Sequence, residues 1–432
     1  MAETDGAAIP ARIRHQGLRA ILNGFGTALG AARDPAVETA VRAMRAFSPG
    51  ADATLIGRPD RLDPPGAAFA NAIGMNLLDF DDTHLPTIIH PTAPVLPAVL
   101  ALAEQRGLSG AEALTAFLLG AEVTCRIGDM VSPGHYARGW HITSTCGVFG
   151  AAAASARLLG LDAERTGHAI GIAAGLSGGL VENLTTAAKN AGVGNAPRNG
   201  ILAALLAAEG YVAAPAAIEG KLGWAQACGD MPDVPRALDG LGKSWAFELN
   251  AYKPYPSGIV FHSVIDACFE IRASHALAAD QIERVVVRGS PLLLQRGDRV
   301  VRNERDARVS LHHAAAIVFL YGAAGVREFE AACAMAPETV AFRSKVRGEV
   351  DSSLPPGAAT VEVTLRDGQT QSATVLHARG SIERPMSDAD LEAKLRALAG
   401  GNGYDAAEII VQVWALDGPD SLGALMGAAS GR

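Results

Sequence analysis

Five stretches of this sequence place titratable side chains where helices are expected to begin or end or where the helical part gives way. The first, Asp79-Phe80-Asp81-Asp82-Thr83-His84, closes an apolar segment and is followed after a short loop by His90-Pro91. The apolar spacing from Phe69 to Leu77 predicts a helix whose last turn gathers three carboxylates, with Asp79 and Thr83 four apart on one face. Negative charge there opposes the helix dipole, so a histidine, lysine or metal is expected to offset it. Pro91 suits the first turn of the next helix. His90 would then stand in a positive field that favours neutral imidazole, a form able to accept a proton.

His141 repeats the arrangement, with Thr143 and Ser144 as candidate caps of a helix running to Leu159 and Tyr136 nearby in sequence. A third case is Lys189 ahead of Gly192, Gly194, Asn195 and Pro197, where Asn195 would cap and Pro197 would sit in a first turn. Three such helix starts suggest an anion pocket. The fourth stretch, Tyr252-Lys253-Pro254-Tyr255-Pro256, is stiffened by its prolines and offers Lys253 to a substrate carboxylate. Ser310-Leu311-His312-His313 heads an apolar helix at 314–321, and either imidazole would suit a cleft.

Each feature also has a plain structural explanation. A histidine before proline is commonly a local cap, Asp-Asp-Thr-His reads equally as a solvated turn, and Lys189 alone reads as a surface lysine. Asp79, Asp82, His84 and His90 lack the H-x-x-x-H or H-E-x-x-H spacing of a zinc site, so no metal is expected.

The elements that must position these groups divide the chain. Ala/Leu-rich segments at helical spacing run from about residue 36 to 245, with a capping box at Ser109 and Glu112 and a dense run of small residues at 150–156. After Pro254 a β-branched run at 281–288 and two alternating runs around Asp367-Gly368 predict a strand and a hairpin. Ser387 then caps a helix to Leu398. The expected fold is mainly α: a helical domain, 1–250 completed by 386–432, and an inserted α+β lid, 251–385, with a small antiparallel sheet.

The chain has 432 residues, 49% hydrophobic, with a net charge of −8. A core of ample size is expected, with no attraction for nucleic acid or anionic membranes. Residues 1–10 contain Glu3 and Asp5 and no apolar run, so a cytoplasmic protein is expected. The five cysteines are scattered without a C-x-x-C pair and read as reduced thiols.

Ala68-Phe69-Ala70-Asn71 through Asp79-Phe80-Asp81-Asp82-Thr83 to His90-Pro91 resembles the signature of the MmgE/PrpD family. The resemblance continues through Gly139-Trp140-His141, Gly194-Asn195-Ala196-Pro197-Arg198, Lys253-Pro254-Tyr255-Pro256-Ser257 and Arg384-Pro385-Met386-Ser387, about residues 15–415. The family contains 2-methylcitrate dehydratase, cis-aconitate decarboxylase and iminodisuccinate epimerase. It implies a helical domain with a smaller lid, an active site between them, a homodimer, no metal or organic cofactor, and a small di- or tricarboxylic acid as substrate. By motif, the site positions of the decarboxylase branch fall on Asp79, Thr83, His90, His141, Lys189 and Lys253. Three departures stand out: a one-residue-longer loop before His90, His313 where that branch has a lid tyrosine, and Gly258 where it has a histidine.

Proton removal next to a carboxylate builds enolate-like charge that lysines and helix N-termini stabilise. His90 is the expected acid/base, oriented by Asp79 and Thr83. Lys189, Lys253 and His141 would hold carboxylates, with Asn195 and His312 as further substrate contacts. His313 or Tyr136 would make the second proton transfer. A lyase, by dehydration or hydration before decarboxylation, is the leading expectation, with an epimerase next. A binding protein and a metallohydrolase are the rivals from other classes.

Overall fold

The computed structural model describes every residue except Met1, Asp230, Ala276, Gly401, Asn402, Pro419, Asp420 and Arg432. The chain separates into two compact units, one of Met1–Leu77, Asp81–Asn250 and Ser387–Arg432, the other of Leu78–Phe80 and Ala251–Met386.

In the first unit α1 is Ala11–Ala31, α2 Pro64–Leu77, α3 Thr92–Arg106, α4 Gly110–Val131, α5 Ile142–Leu158 and α6 Ala187–Ala208. The α4 start is the capping box read from sequence, Ser109 and Glu112 bonding each other's backbone N–H. Every α5 residue except Arg157 is buried, as a helix apolar on all faces must be. Helices α3, α4 and α6 pack around it. Small residues permit the approach. A Cβ on Gly150 would lie 2.2 Å from the Gly120 carbonyl oxygen of α4, and one on Gly200 of α6 would lie 2.4 Å from the Ala151 Cβ.

Removing a helical glycine gains about 1 kcal/mol, whereas overpacking costs about 1–3 kcal/mol. Because the obstruction at Gly150 is backbone, the cost wins. Gly150→Ala is expected to destabilise the protein by about 2 kcal/mol, read as a melting temperature several degrees lower. An unchanged or raised value would mean that α4 and α5 do not cross here.

Two expectations about helix ends fail. Helix α2 ends at Leu77, before the acidic residues, and Asp79 has a left-handed φ of +50°. The aspartates therefore do not form a last helical turn, and Asp79 and Thr83 share no helix face. Helix α6 begins at Ala187 with Thr186 as its N-cap, so Asn195 and Pro197 lie in its interior. Tight packing overrides the turn signal: a Cβ on Gly194 would meet the Phe69 carbonyl oxygen at 2.8 Å.

The second unit contains α7, His262–His275, and α8, Leu311–Tyr321, with strands β1 Ile282–Gly289, β2 Val346–Val350, β3 Ala359–Leu365 and β4 Thr370–Val375. The sheet order is β2-β1-β3-β4. β3 and β4 form the expected antiparallel hairpin, closed by the Asp367 carboxylate accepting from Gln369 N–H at 2.9 Å. β2 was not foreseen, and it makes the sheet mixed because it runs parallel to β1. Only Val346 of this strand is buried, and a charged edge strand has no apolar alternation to betray it. β3 alternates strictly, burying Val361 and Val363 against Val285 and Val287 of β1 and against Ile265 and Ile317 of the two helices.

The chain then returns to the first unit as α9, Asp388–Gly400. It packs on α1, where the buried Lys394 donates to Asn23 Oδ1 at 2.8 Å. This gives the Leu22-Asn23-Gly24 stretch a role in helix packing. No helix among the described residues is long and apolar enough to cross a membrane.

Candidate active site

In the first unit, Thr83 and His90 come together. Residues Asp82–His84 form a short buried strand, and His90 directly precedes Pro91, the N-cap of α3. The His90 Nδ1 lies 2.7 Å from the Asp82 carbonyl oxygen and 3.2 Å from Thr83 Oγ1. A carbonyl only accepts, so Nδ1 carries the hydrogen and Nε2 is the basic nitrogen of the neutral ring. The His90 N–H donates to Thr143 Oγ1 at 3.1 Å. The side chain is 13% exposed, and Asp81 Oδ1 lies 3.6 Å from Nδ1.

A carboxylate beside His90 is thus that of Asp81, a neighbour that a helical turn over 79–84 does not predict. Asp79 belongs to the second unit, and Thr83, the Asp82 carbonyl and Asp81 are among the groups observed at His90.

Asp82 is a different kind of carboxyl. Its Oδ2 accepts from the Thr92 hydroxyl at the start of α3 and from Asn250 Nδ2 at 2.7 Å. Burial pushes its pKa up to about 6, with the nearby Asp81 charge adding to the effect. Two adjacent carboxyls in unlike settings are a common feature of acid/base sites.

His141 is the N-cap residue of α5, with its Nδ1 2.7 Å from Ser144 Oγ. Thr143 and Ser144 are not caps; they lie in the first turn and bond the two histidines. Gly179 closes over this turn, where its carbonyl accepts from His141 N–H at 3.0 Å. A Cβ on Gly179, whose φ is +142°, would lie 2.6 Å from Ser144 Cβ. Lys189 is buried in the first turn of α6, and its neighbour Asn190 donates to Asn76 Oδ1 at 3.0 Å. Asn195 lies two turns further along α6, away from the helix end expected of it. Tyr136 is on the short helix Gly134–Ala137.

In the second unit, Lys253 and Asp79 come together through backbone. The buried Lys253 Nζ donates to the Asp79 carbonyl at 3.1 Å, and buried Arg308 donates to the Leu78 carbonyl. Two cations therefore pin the strained turn carrying Asp79, a role for Arg308 with no signal in the sequence.

His313 is fully buried. Its Nε2 lies 2.9 Å from the Glu328 carbonyl, and its Nδ1 accepts from Arg343 at 3.3 Å. Burial lowers its pKa to about 4, and Arg343 and Arg308 act the same way. A neutral ring engaged at both nitrogens is poorly placed to exchange protons with a substrate. His312 joins Val346 O at 3.0 Å and Asp298 Oδ1 at 2.8 Å, fastening α8 to β2. The sequence shows both histidines but not the groups that occupy them. No group of three or more His, Cys, Asp or Glu among the described residues has the proximity to hold a metal ion.

The MmgE/PrpD N-terminal domain matches residues 1–237, and the MmgE/PrpD C-terminal domain matches residues 255–417. The chain belongs to the MmgE/PrpD family. It is similar to the cis-aconitate decarboxylase of Homo sapiens, 30% identical over 421 residues that span 93% of this chain and 87% of the relative. The cis-aconitate decarboxylase of Mus musculus is 30% identical over 82% of this chain and 75% of its own. A cis-aconitate decarboxylase-like protein of Aspergillus oryzae is 26% identical over 90% and 87%. The family and these relatives support an enzyme of lyase type.

Proposed function

We propose that the protein is a lyase on a small di- or tricarboxylic acid that works without a cofactor, using His90 to move the proton next to a carboxylate. The observation carrying this reading is the commitment of His90 Nδ1 to the Asp82 carbonyl, which makes Nε2 the base. Nε2 takes the proton from the carbon next to the carboxylate, and the electron pair left behind spreads into that carboxylate. Lys189 and His141 hold the substrate's carboxylates, and the α5 start adds its positive end. The pair then forms the double bond as a β-hydroxyl, protonated by a second group, leaves as water.

The engaged nitrogens of His313 favour Tyr136 as that second group. Tyr136→Phe is expected to lower kcat about 100-fold. His313→Gln should instead act mainly on stability, by about 1–3 kcal/mol, because it disturbs buried partners. A kcat loss confined to His313→Gln would reverse the assignment.

Loss of carbon dioxide is the second reading, favoured by the similarity to cis-aconitate decarboxylases. The electrons of the broken C–C bond then enter the same enolate-like system, and a protonated His90 returns a proton to carbon.

Protein freed of metal with EDTA, incubated in D2O with hydroxy-, imino- and unsaturated di- and tricarboxylic acids and followed by proton NMR, tests the proposal. Gain or loss of water supports the first reading, and carbon dioxide release supports the second. Deuterium exchange with inversion and no elimination would replace both with an epimerase.

A further inference from the structure

Two buried amides lead away from the carboxylate beside His90. Asn76, in the last turn of α2, is fully buried and donates to Asp81 Oδ2 at 2.5 Å. Its own oxygen accepts from Asn190 Nδ2 at 3.0 Å, and Asn190, 1% exposed, lies in the first turn of α6 beside Lys189. Asp81, 1% exposed, is the end of this chain and stands 3.6 Å from His90 Nδ1.

From this geometry we infer that Asn76 is a positioning residue for His90, acting through Asp81 and itself held by Asn190. The direction of the bonds carries the argument. A carboxylate only accepts, and each amide turns its N–H group toward Asp81 and its oxygen away. Buried amides are unfavourable without partners, so neither serves simple packing as well as leucine would. At 3.6 Å the carboxylate favours the imidazolium that forms when His90 takes a proton, as the carboxylate of a serine-protease triad does for its histidine. The device is independent of Thr83 and the Asp82 carbonyl, which fix the ring's orientation and hydrogen but bring no charge to Nδ1.

Other titratable groups on the elements around His90 include Asp82 and His84 on the adjoining strand, Cys146 on α5 with His141 at its N-cap, Lys189 on α6, and Cys125, Asp129 and the Glu122–Arg126 ion pair of α4. The amide of Asn76 is bonded instead to Asp81 and Asn190, so replacing it isolates the Asp81 contribution.

The inference rests on His90 being the acid/base, and its test does not require turnover. In histidine-labelled full-length protein, the NMR titration midpoint of the His90 ring is followed in wild type, Asp81→Asn and Asn76→Leu. Asp81→Asn is expected to lower the midpoint by at least one pH unit, and Asn76→Leu by about half of that or more. The acid limb of kcat should move with the midpoint while KM stays within about threefold. An unmoved His90 midpoint in folded Asn76→Leu overturns the positioning role. If that variant does not fold, Asn190→Ser, which removes the outer amide alone, must shift the midpoint in the same direction or the role is lost. Should the midpoints shift while a His90 variant keeps full turnover, the relay stands and the acid/base reading falls.

Discussion

His90→Asn is expected to lower kcat about 1,000-fold while leaving KM within a few-fold and the melting temperature close to wild type. General acid–base groups contribute about 100- to 10,000-fold, and the substitution is matched to the geometry. The asparagine amide keeps a donor where Nδ1–H meets the Asp82 carbonyl, so the loop before α3 stays anchored. It offers no atom with the basicity of Nε2. Thr143 continues to accept from the residue 90 N–H, so the backbone should not move. Steady-state kinetics on the substrate found by the NMR panel measure the effect. A variant with undiminished kcat removes His90 from the chemistry, and one with raised KM at constant kcat makes it a binding residue.

The local signals that proved sufficient are those in which one residue type has one physical use. Ser109 and Glu112 announced α4, the β-branched run announced β1, and Asp367-Gly368 announced the hairpin. The fold class follows from such signals, since their periods separate helical from mixed segments. Signals failed where packing outweighed them. Asn195 and Pro197 look like a helix start, yet α6 runs through them because its glycines sit against α2 and α5.

At the candidate site, the proximity of Thr83 and His90 was legible because the short loop between them can turn only so far. The part played by Asp81 was not, because reading 79–84 as helix assigned that carboxylate to another face; the left-handed Asp79 changes the direction of the chain there. Asn76 and Asn190 are invisible in sequence for a related reason: an asparagine inside an apolar helix is read as a weakness until its partner is seen. The same blindness applies to His313. A histidine heading a helix advertises chemistry, and only the Glu328 carbonyl and Arg343 show that the ring is spoken for.

Acid should unfold the protein between about pH 6 and 4, through histidines that play no part in the proposed reaction. His84, His135 and His313 are all buried, and burial lowers each pKa from 6.5 to about 4. Well above pH 6.5 they are neutral in both states and contribute no slope. As pH falls from 6.5 to 4, the unfolded chain takes up three protons that the folded chain refuses, so stability declines; below 4 this loss levels off. Each pH unit separating the folded from the unfolded titration is worth about 1.4 kcal/mol, which sets a ceiling of about 3 kcal/mol for each histidine. Asp82 acts in the opposite sense. With its folded value raised from 3.8 to about 6, the folded state binds a proton between those values that the unfolded state does not, which cancels roughly one histidine. The remaining loss of several kcal/mol is comparable with the whole stability of many proteins, about 5–15 kcal/mol. Urea unfolding from pH 7.5 to 4, with proton uptake measured alongside, should show about two protons taken up on unfolding between pH 6 and 5, the three of the histidines less the one that Asp82 gives back. Asp82→Asn, whose amide can still accept from Thr92 and Asn250, should raise stability above pH 6 and steepen the acid slope by about one proton. His135→Asn should flatten it by one. A stability flat across this range would mean that the three rings reach water in the folded protein, and their burial would have to be given up.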